Sequence, residues 1–317
     1  VAAPLFAFHF SLLIRRDLGY HPVMLRPILK GTGLLALLVL TATGLTQDRS
    51  ARIRPTYFGI QDGELPEDPR EWREGRYYDF PDWDVNAELP NDVFTFARLR
   101  YNSGTWMGQR AKWLIDYPDS ELNFSYRLQQ LTSLQVDPKG AIVDIDAEQL
   151  RHYPFIYMIE PGDIWITEEE AKTLRDYLLN GGFIMVDDFW GIYEWKNFER
   201  ALRQIFPDRE YVELELDHPI FHMVFDLDLK PQIPAVGMAM MGREEGITYE
   251  WNKPGSETPH YRAILDDDGR ICMMICFNTD LGDGWEEEGT DPWYFREFSE
   301  KYAYPLGINI VFYALTH

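Results

Sequence analysis

The chain has 317 residues, 45% of them hydrophobic and 15% aromatic, which excludes an intrinsically disordered protein and leaves ample material for a core. A formal net charge of -22 excludes a nucleic-acid phosphate partner and reads as solubility in an aqueous compartment.

In chain order, Arg26 and Lys30 precede an apolar run from Leu34 to Leu40, and Thr41, Ala42, Thr43 and Gly44 follow it. A basic region, a short apolar stretch and small residues make residues 24–44 a signal peptide or N-terminal anchor. The run falls short of the roughly 20 residues a spanning helix needs. Met24 stands where such a peptide begins, so residues 1–23 read as an upstream extension. If they belong to the chain, the patch from Leu5 to Ile14 makes an uncleaved anchor the alternative, and membrane association is expected only through this segment. Residues 45–92 are polar and irregular, an extended N-terminal arm in which Tyr57, Phe58, Tyr77 and Phe80 could lie across a domain surface. The globular domain is assigned to residues 93–317.

That domain opens with an alternating strand at 93–101, then a short helical stretch at 106–115 and a turn at Asp116-Tyr117-Pro118. A helix over 120–134 is expected to bury Leu122, Tyr126, Leu131 and Leu134. A short strand at 141–145 and a helical turn at 146–150 lead into the stretch around which the chain is organised. The apolar run Phe155–Ile159 is followed by a turn, Glu160-Pro161-Gly162-Asp163. Thr167 and Glu170 then stand at capping-box spacing before a helix carrying Ala171, Leu174, Tyr177 and Leu178, which Gly181 and Gly182 stop. A second apolar run from Phe183 to Val186 ends in Asp187 and Asp188. Strand, helix, strand predicts a βαβ unit in a parallel sheet buried on both faces.

Farther on, residues 193–206 predict an amphipathic helix with Trp195, Phe198, Leu202 and Ile205 inward, and 211–216 an alternating strand. Residues 223–260 read as a long loop. Asp266-Asp267-Asp268-Gly269 between two apolar runs predicts a hairpin, and 304–315 a closing helix. Cys272 and Cys276, four strand steps or about 13 Å apart, are out of disulfide reach and read as core thiols. His218 and His222 flank Pro219 and read as core or turn histidines rather than a metal pair.

Two acidic constellations carry the chemistry. Asp187 and Asp188 follow one strand; Asp280 and Asp283 follow Phe277 in a glycine-rich loop. In open α/β sheets the carboxyl ends of strands are where ligands bind. The candidate pocket comprises Gly162, Asp187, Asp188, Trp190, Asn278, Asp280, Asp283 and Trp285. Asp188 and Asp280 are the metal candidates, for a divalent cation held by oxygen ligands; no other cofactor is expected. The competing reading makes these aspartates helix caps that satisfy loop amides. Asp188 and Asp280 are expected to lie close together at one sheet edge.

Several motifs in order resemble a bacterial family, the domain of unknown function 4159: Asp116-Tyr117-Pro118, Tyr153 to Tyr157, Gly181-Gly182-Phe183 with Asp187 to Trp190, Asp217-His218-Pro219, Asn278 to Trp285, and Gly307-Ile308-Asn309. That family is similar in fold to class I glutamine amidotransferase-like domains. The resemblance implies an α/β three-layer sandwich with a mostly parallel central sheet, glutamine amidotransferase-like (flavodoxin-like), with a C-terminal hairpin and closing helix. It places Glu160-Pro161-Gly162 at the oxyanion turn and Asp187-Asp188 at the elbow that carries a nucleophilic Cys in active amidotransferases. No Cys or Ser stands there, so thioester chemistry is not expected. The expectation is an exported, periplasmic or cell-envelope domain that binds a ligand or protein partner. The alternative is a metal-assisted hydrolase acting on carbohydrate or envelope polymer.

Overall fold

The computed structural model describes residues 65, 68–71, 81–85, 92–103 and 111–317. The extension at 1–23, the apolar segment at 24–44, most of the arm and the start of the 106–115 stretch lie outside the described residues. Within the arm, the Trp83 Nε1–H donates to the Val136 carbonyl at 2.8 Å, and Asp68 pairs with Arg70 at 2.8 Å and Lys139 at 3.2 Å. No described helix is long and apolar enough to cross a membrane.

Seven strands form the central sheet: β1 (Ala97–Arg100), β2 (Ala141–Asp144), β3 (Phe155–Ile159), β4 (Phe183–Asp187), β5 (Val212–Glu213), β6 (His260–Leu265) and β7 (Ile271–Phe277). Their order is β2-β1-β3-β4-β7-β6-β5. The first five in that order run parallel, while β6 is antiparallel to both its neighbours. The expected neighbours β1, β3 and β4 therefore do lie side by side and parallel.

Alternation along each strand builds two cores. Phe155, Tyr157, Ile159, Phe183 and Met185 face one layer with Met274 and Cys276; Phe124 and Leu128 of α1 (Asp119–Leu131) cover them. Ile156, Met158, Ile184 and Val186 face the other, with Met273 and Ile275. There they meet Leu174 and Leu178 of α2 (Glu168–Leu179) and Phe198 and Leu202 of α3 (Gly191–Ile205). Strands buried on both faces explain why β3, β4 and β7 read as unbroken apolar runs. The capping box forms as expected: the Glu170 amide donates to Thr167 Oγ1 at 3.1 Å, and the Thr167 amide to Glu170 Oε2 at 2.7 Å.

Four local expectations are corrected. The 93–101 strand is three pieces: Val93–Phe94 pairs with Gln135–Val136, β1 joins the sheet, and Asn102–Ser103 pairs with Ile164–Trp165. Helix α1 ends at Leu131, where the Thr132 hydroxyl bonds back to the Leu128 carbonyl, leaving Leu131 54% exposed instead of buried. Strand β5 keeps two residues of the expected six: it is the outermost strand, its ladder pairs are Val212 and Glu213 with Ala263 and Arg262, and beyond them the Leu214 amide still donates to the Tyr261 carbonyl at 2.8 Å. The glycine-rich stretch after β7 is a helix, α4 (Leu281–Glu286), rather than a loop. Beyond it a π-helix, Phe295–Ala303, runs into α5 (Tyr304–Thr316), the expected closing helix.

Candidate functional site

Among the described residues, four that are not glycine hold a positive φ: Asp116 (60°), Glu160 (50°), Asp188 (53°) and Asn278 (58°). Three of them are the first residues after β3, β4 and β7, adjacent parallel strands whose carboxyl ends share one edge. A left-handed L-residue costs about 1–2 kcal/mol, less for Asp and Asn, so a row of them at one edge is strain concentrated where ligands bind in such sheets. Each is pinned by its surroundings. The Tyr101 hydroxyl lies 2.7 Å from the carbonyls of Ile159 and Glu160. Asn278 accepts the Gly191 amide at 2.8 Å and donates to the carbonyls of Gly255 and Thr258 at 2.9 and 2.8 Å.

The elbows bring carboxylates together. One oxygen each from Asp116, Asp188 and Asp280 lies within 4.8 Å of the others, and the three residues are 3%, 8% and 4% exposed. Asp188 and Asp280 therefore do meet, and Asp116 joins them. Asp116 also stands within 4.8 Å of oxygens from Asp283 and Glu286. The Trp190 indole N–H donates to Asp188 Oδ1 at 3.1 Å, and the Asp283 amide to Asp280 Oδ1 at 2.7 Å. Asp116 Oδ2 is buried without a hydrogen-bond partner.

Beneath them Asp187 is fully buried, with Oδ2 accepting from the Tyr157 hydroxyl and the Gly282 amide, both at 3.0 Å, and Oδ1 without a partner. Burial pushes its carboxyl up to about 7 against the opposing pull of those two donors. Burial also lifts Asp116, Asp188 and Asp280 well above the usual carboxylate range. Neighbouring charge adds to it: Glu286 and Asp283 at Asp116, Glu160 and Asp283 at Asp188, and Asp188 and Asp283 at Asp280.

The nearby cations are engaged elsewhere. Arg98, fully buried, donates to Glu121, to the carbonyls of Trp113 and Ile115 at 2.9 and 2.6 Å, and to Ser120 Oγ at 2.8 Å. Lys112 pairs with Glu160 at 2.6 Å, and Lys253 with Glu194. Glu194 also accepts the Trp190 amide at 2.7 Å, closing the first turn of α3.

The other sequence-singled residues do different work. Trp285 is fully buried in the core, its ring 4.5 Å from that of Phe124 and 5.7 Å from that of Tyr157. Gly162 sits under α3, where a Cβ would come within 2.6 Å of Glu194. His218 caps the turn Pro219–Phe221, and His222 bonds Asp226 and the Leu216 carbonyl. Cys272 and Cys276 are buried free thiols. Asp116 and Glu286 were not anticipated as site residues. The signal for Asp116 is an aspartate opening a Tyr-Pro turn directly after the apolar Trp113, Leu114 and Ile115.

The model of a family described as a domain of unknown function (DUF4159) matches residues 95–315. No curated protein matches the chain.

Proposed function

We propose that this chain, which belongs to the DUF4159 family, is a ligand-binding α/β domain of the cell envelope whose ligand is positively charged, and that it is not a glutaminase. The observation that carries the reading is the convergence of Asp116, Asp188 and Asp280 at the carboxyl edge of the sheet. An aspartate occupies the β4 elbow, where thioester chemistry needs a thiolate, and the two cysteines are in the core. Export is supported by the basic residues Arg26 and Lys30 ahead of the apolar run from Leu34 to Leu40. Thermal-shift measurement against metal cations, amines and neutral oligosaccharides tests the binding. Stabilisation by a cationic member that disappears in Asp188→Asn supports it. Stabilisation by none, or only by a neutral sugar, or steady ammonia release from glutamine, overturns it. Asn tolerates the left-handed backbone at 188, so the variant keeps the elbow. N-terminal sequencing of protein from its native host, expected to begin near Leu45, tests the address.

A metal-assisted hydrolase on the same carboxylates is the second reading, favoured by Asp187. A carboxyl near pH 7 with one unpartnered oxygen suits a general base at neutral pH. That reading requires a hydrolytic activity on an envelope polymer that Asp187→Asn removes while ligand binding survives.

A further inference from the structure

We infer that Asp116, Asp188 and Asp280 form an oxygen-only site for one hard divalent cation, of the magnesium, calcium or manganese class, with Asp116 as the ligand that completes it. The inference rests on the reading above and narrows its ligand to an ion.

Three observations support it. First, the three carboxylates come from separate parts of the chain, the Asp116 turn, the β4 elbow and the first residue before α4, yet they present oxygens within 4.8 Å of one another. Second, Asp116 Oδ2 is buried with no hydrogen-bond partner, and it stands against Gly282 together with Asp280 Oδ1. A Cβ built on Gly282 would lie 3.0 Å from Asp116 Oδ2 and 3.3 Å from Asp280 Oδ1, so the bare glycine forms the floor under both oxygens. Third, among the described residues the nearby cations bond other acceptors: every side-chain nitrogen of Arg98 and the amines of Lys112 and Lys253 are engaged elsewhere. Three buried carboxylates with no ion-pair partner are costly; a divalent ion answers that charge directly.

The carboxylates are held in place. Trp190 donates to Asp188 Oδ1 and the Asp283 amide to Asp280 Oδ1, so each side chain is fixed through one oxygen. Such outer partners fix ligand geometry in metal sites. The donor set has no His or Cys, which disfavours zinc and favours hard cations. At 3%, 8% and 4% exposure the carboxylates offer too little area to grip a sugar ring, whereas a bare ion needs only their oxygens.

The test is titration of the purified full chain, stripped with chelator, with magnesium, calcium and manganese chlorides, by calorimetry and by manganese spin resonance. One equivalent is expected for at least one ion. Affinity should fall at least about tenfold in each of Asp116→Asn, Asp188→Asn and Asp280→Asn, and stay unchanged in Asp226→Asn, which lies on an exposed turn. If a variant misfolds by circular dichroism, the wild-type titration still decides: no saturable binding at roughly ten times the millimolar affinities of extracellular calcium modules overturns the site. Binding that Asp116→Asn leaves intact also overturns it. Asp188-dependent binding of an organic amine without any metal uptake overturns the ion while the broader reading stands.

Discussion

Replacing Arg98 by Met should be among the most damaging single changes in the domain, and the reason can be worked from its contacts. Arg98 is 0% exposed and Glu121 2% exposed, so the pair sits out of water. Removing the guanidinium leaves the Glu121 carboxylate buried with only Ser120 Oγ, at 2.8 Å, as a donor, and strips the carbonyls of Trp113 and Ile115 of theirs. Breaking a buried pair from one side costs about 3–5 kcal/mol, while replacing both partners with apolar groups is often close to neutral. Against a typical total of about 5–15 kcal/mol, the single variant approaches the unfolding threshold. With a urea slope near the upper end of about 1–3 kcal/mol per molar, the midpoint should drop by roughly 1–2 M. The assay is urea denaturation followed by far-ultraviolet circular dichroism at pH 7. Adding Glu121→Leu should recover at least half of the loss. A drop under about 1 kcal/mol, or a double variant as unstable as the sum of its singles, refutes this account of the pair. Because Trp113 and Ile115 lead directly into Asp116, the stabilised double variant should still bind cation more weakly than the native chain.

Two further outcomes follow. Gly282→Ala places a Cβ 2.5 Å from the Tyr157 hydroxyl, itself anchored on Asp187, and should cost about 1–3 kcal/mol by overpacking; an unchanged thermal midpoint would count against the close floor under the carboxylates. Glu213 is pushed upward by partial burial but drawn down further by His260 and Lys230, from an ordinary 4.5 to about 2. A carboxylate with a depressed folded pKa stabilises above its unfolded value and loses that contribution as pH falls through its folded one. Thermal midpoints should thus show Glu213→Gln below the native chain at pH 6, with the gap closing between pH 4.5 and about 2; a gap that persists unchanged at the acid end would remove Glu213 from the balance.

What could be read from the sequence was whatever local rules and tertiary packing agree on. The β3–α2–β4 unit was legible because strands buried on both faces leave continuous apolar runs, and because Thr167 and Glu170 announce a helix start that the fold keeps. The hairpin was legible from Asp266 to Gly269, where Gly269 takes φ 82°. Helix α4 was not. Gly282 and Gly284 are poor helix formers, so the stretch reads as a loop. Packing selects them: a Cβ at 282 would strike Tyr157, and one at 284 would lie 2.4 Å from the Ala303 Cβ. The packing of Trp285 was hidden for the same reason: from a loop its partners cannot be read, whereas on the helix it reaches Phe96, Phe124 and Tyr157 in the core. Asp116 escaped notice because its place depends on Arg98, eighteen residues earlier in the chain, reaching across from β1 to hold the carbonyls of Trp113 and Ile115.

Capping a helix and joining a carboxylate cluster, which the sequence poses as alternatives for an aspartate after a strand, are geometrically compatible. Asp280 caps α4 through Oδ1, accepting the Asp283 amide at 2.7 Å, and the same carboxylate contributes to the cluster. Asp188 accepts the Trp190 indole through Oδ1 and joins Asp280 across the sheet edge. A carboxylate has two oxygens with about four lone-pair sites, so one oxygen can fix the side chain while the other faces a ligand. The cap then supplies the preorganisation that the site requires, at a cost already met by the fold. The same logic separates this edge from a thiol elbow. A cysteine has one reactive atom and must leave it unbonded to act, whereas an aspartate at the β4 elbow can be held by its neighbour and still present charge.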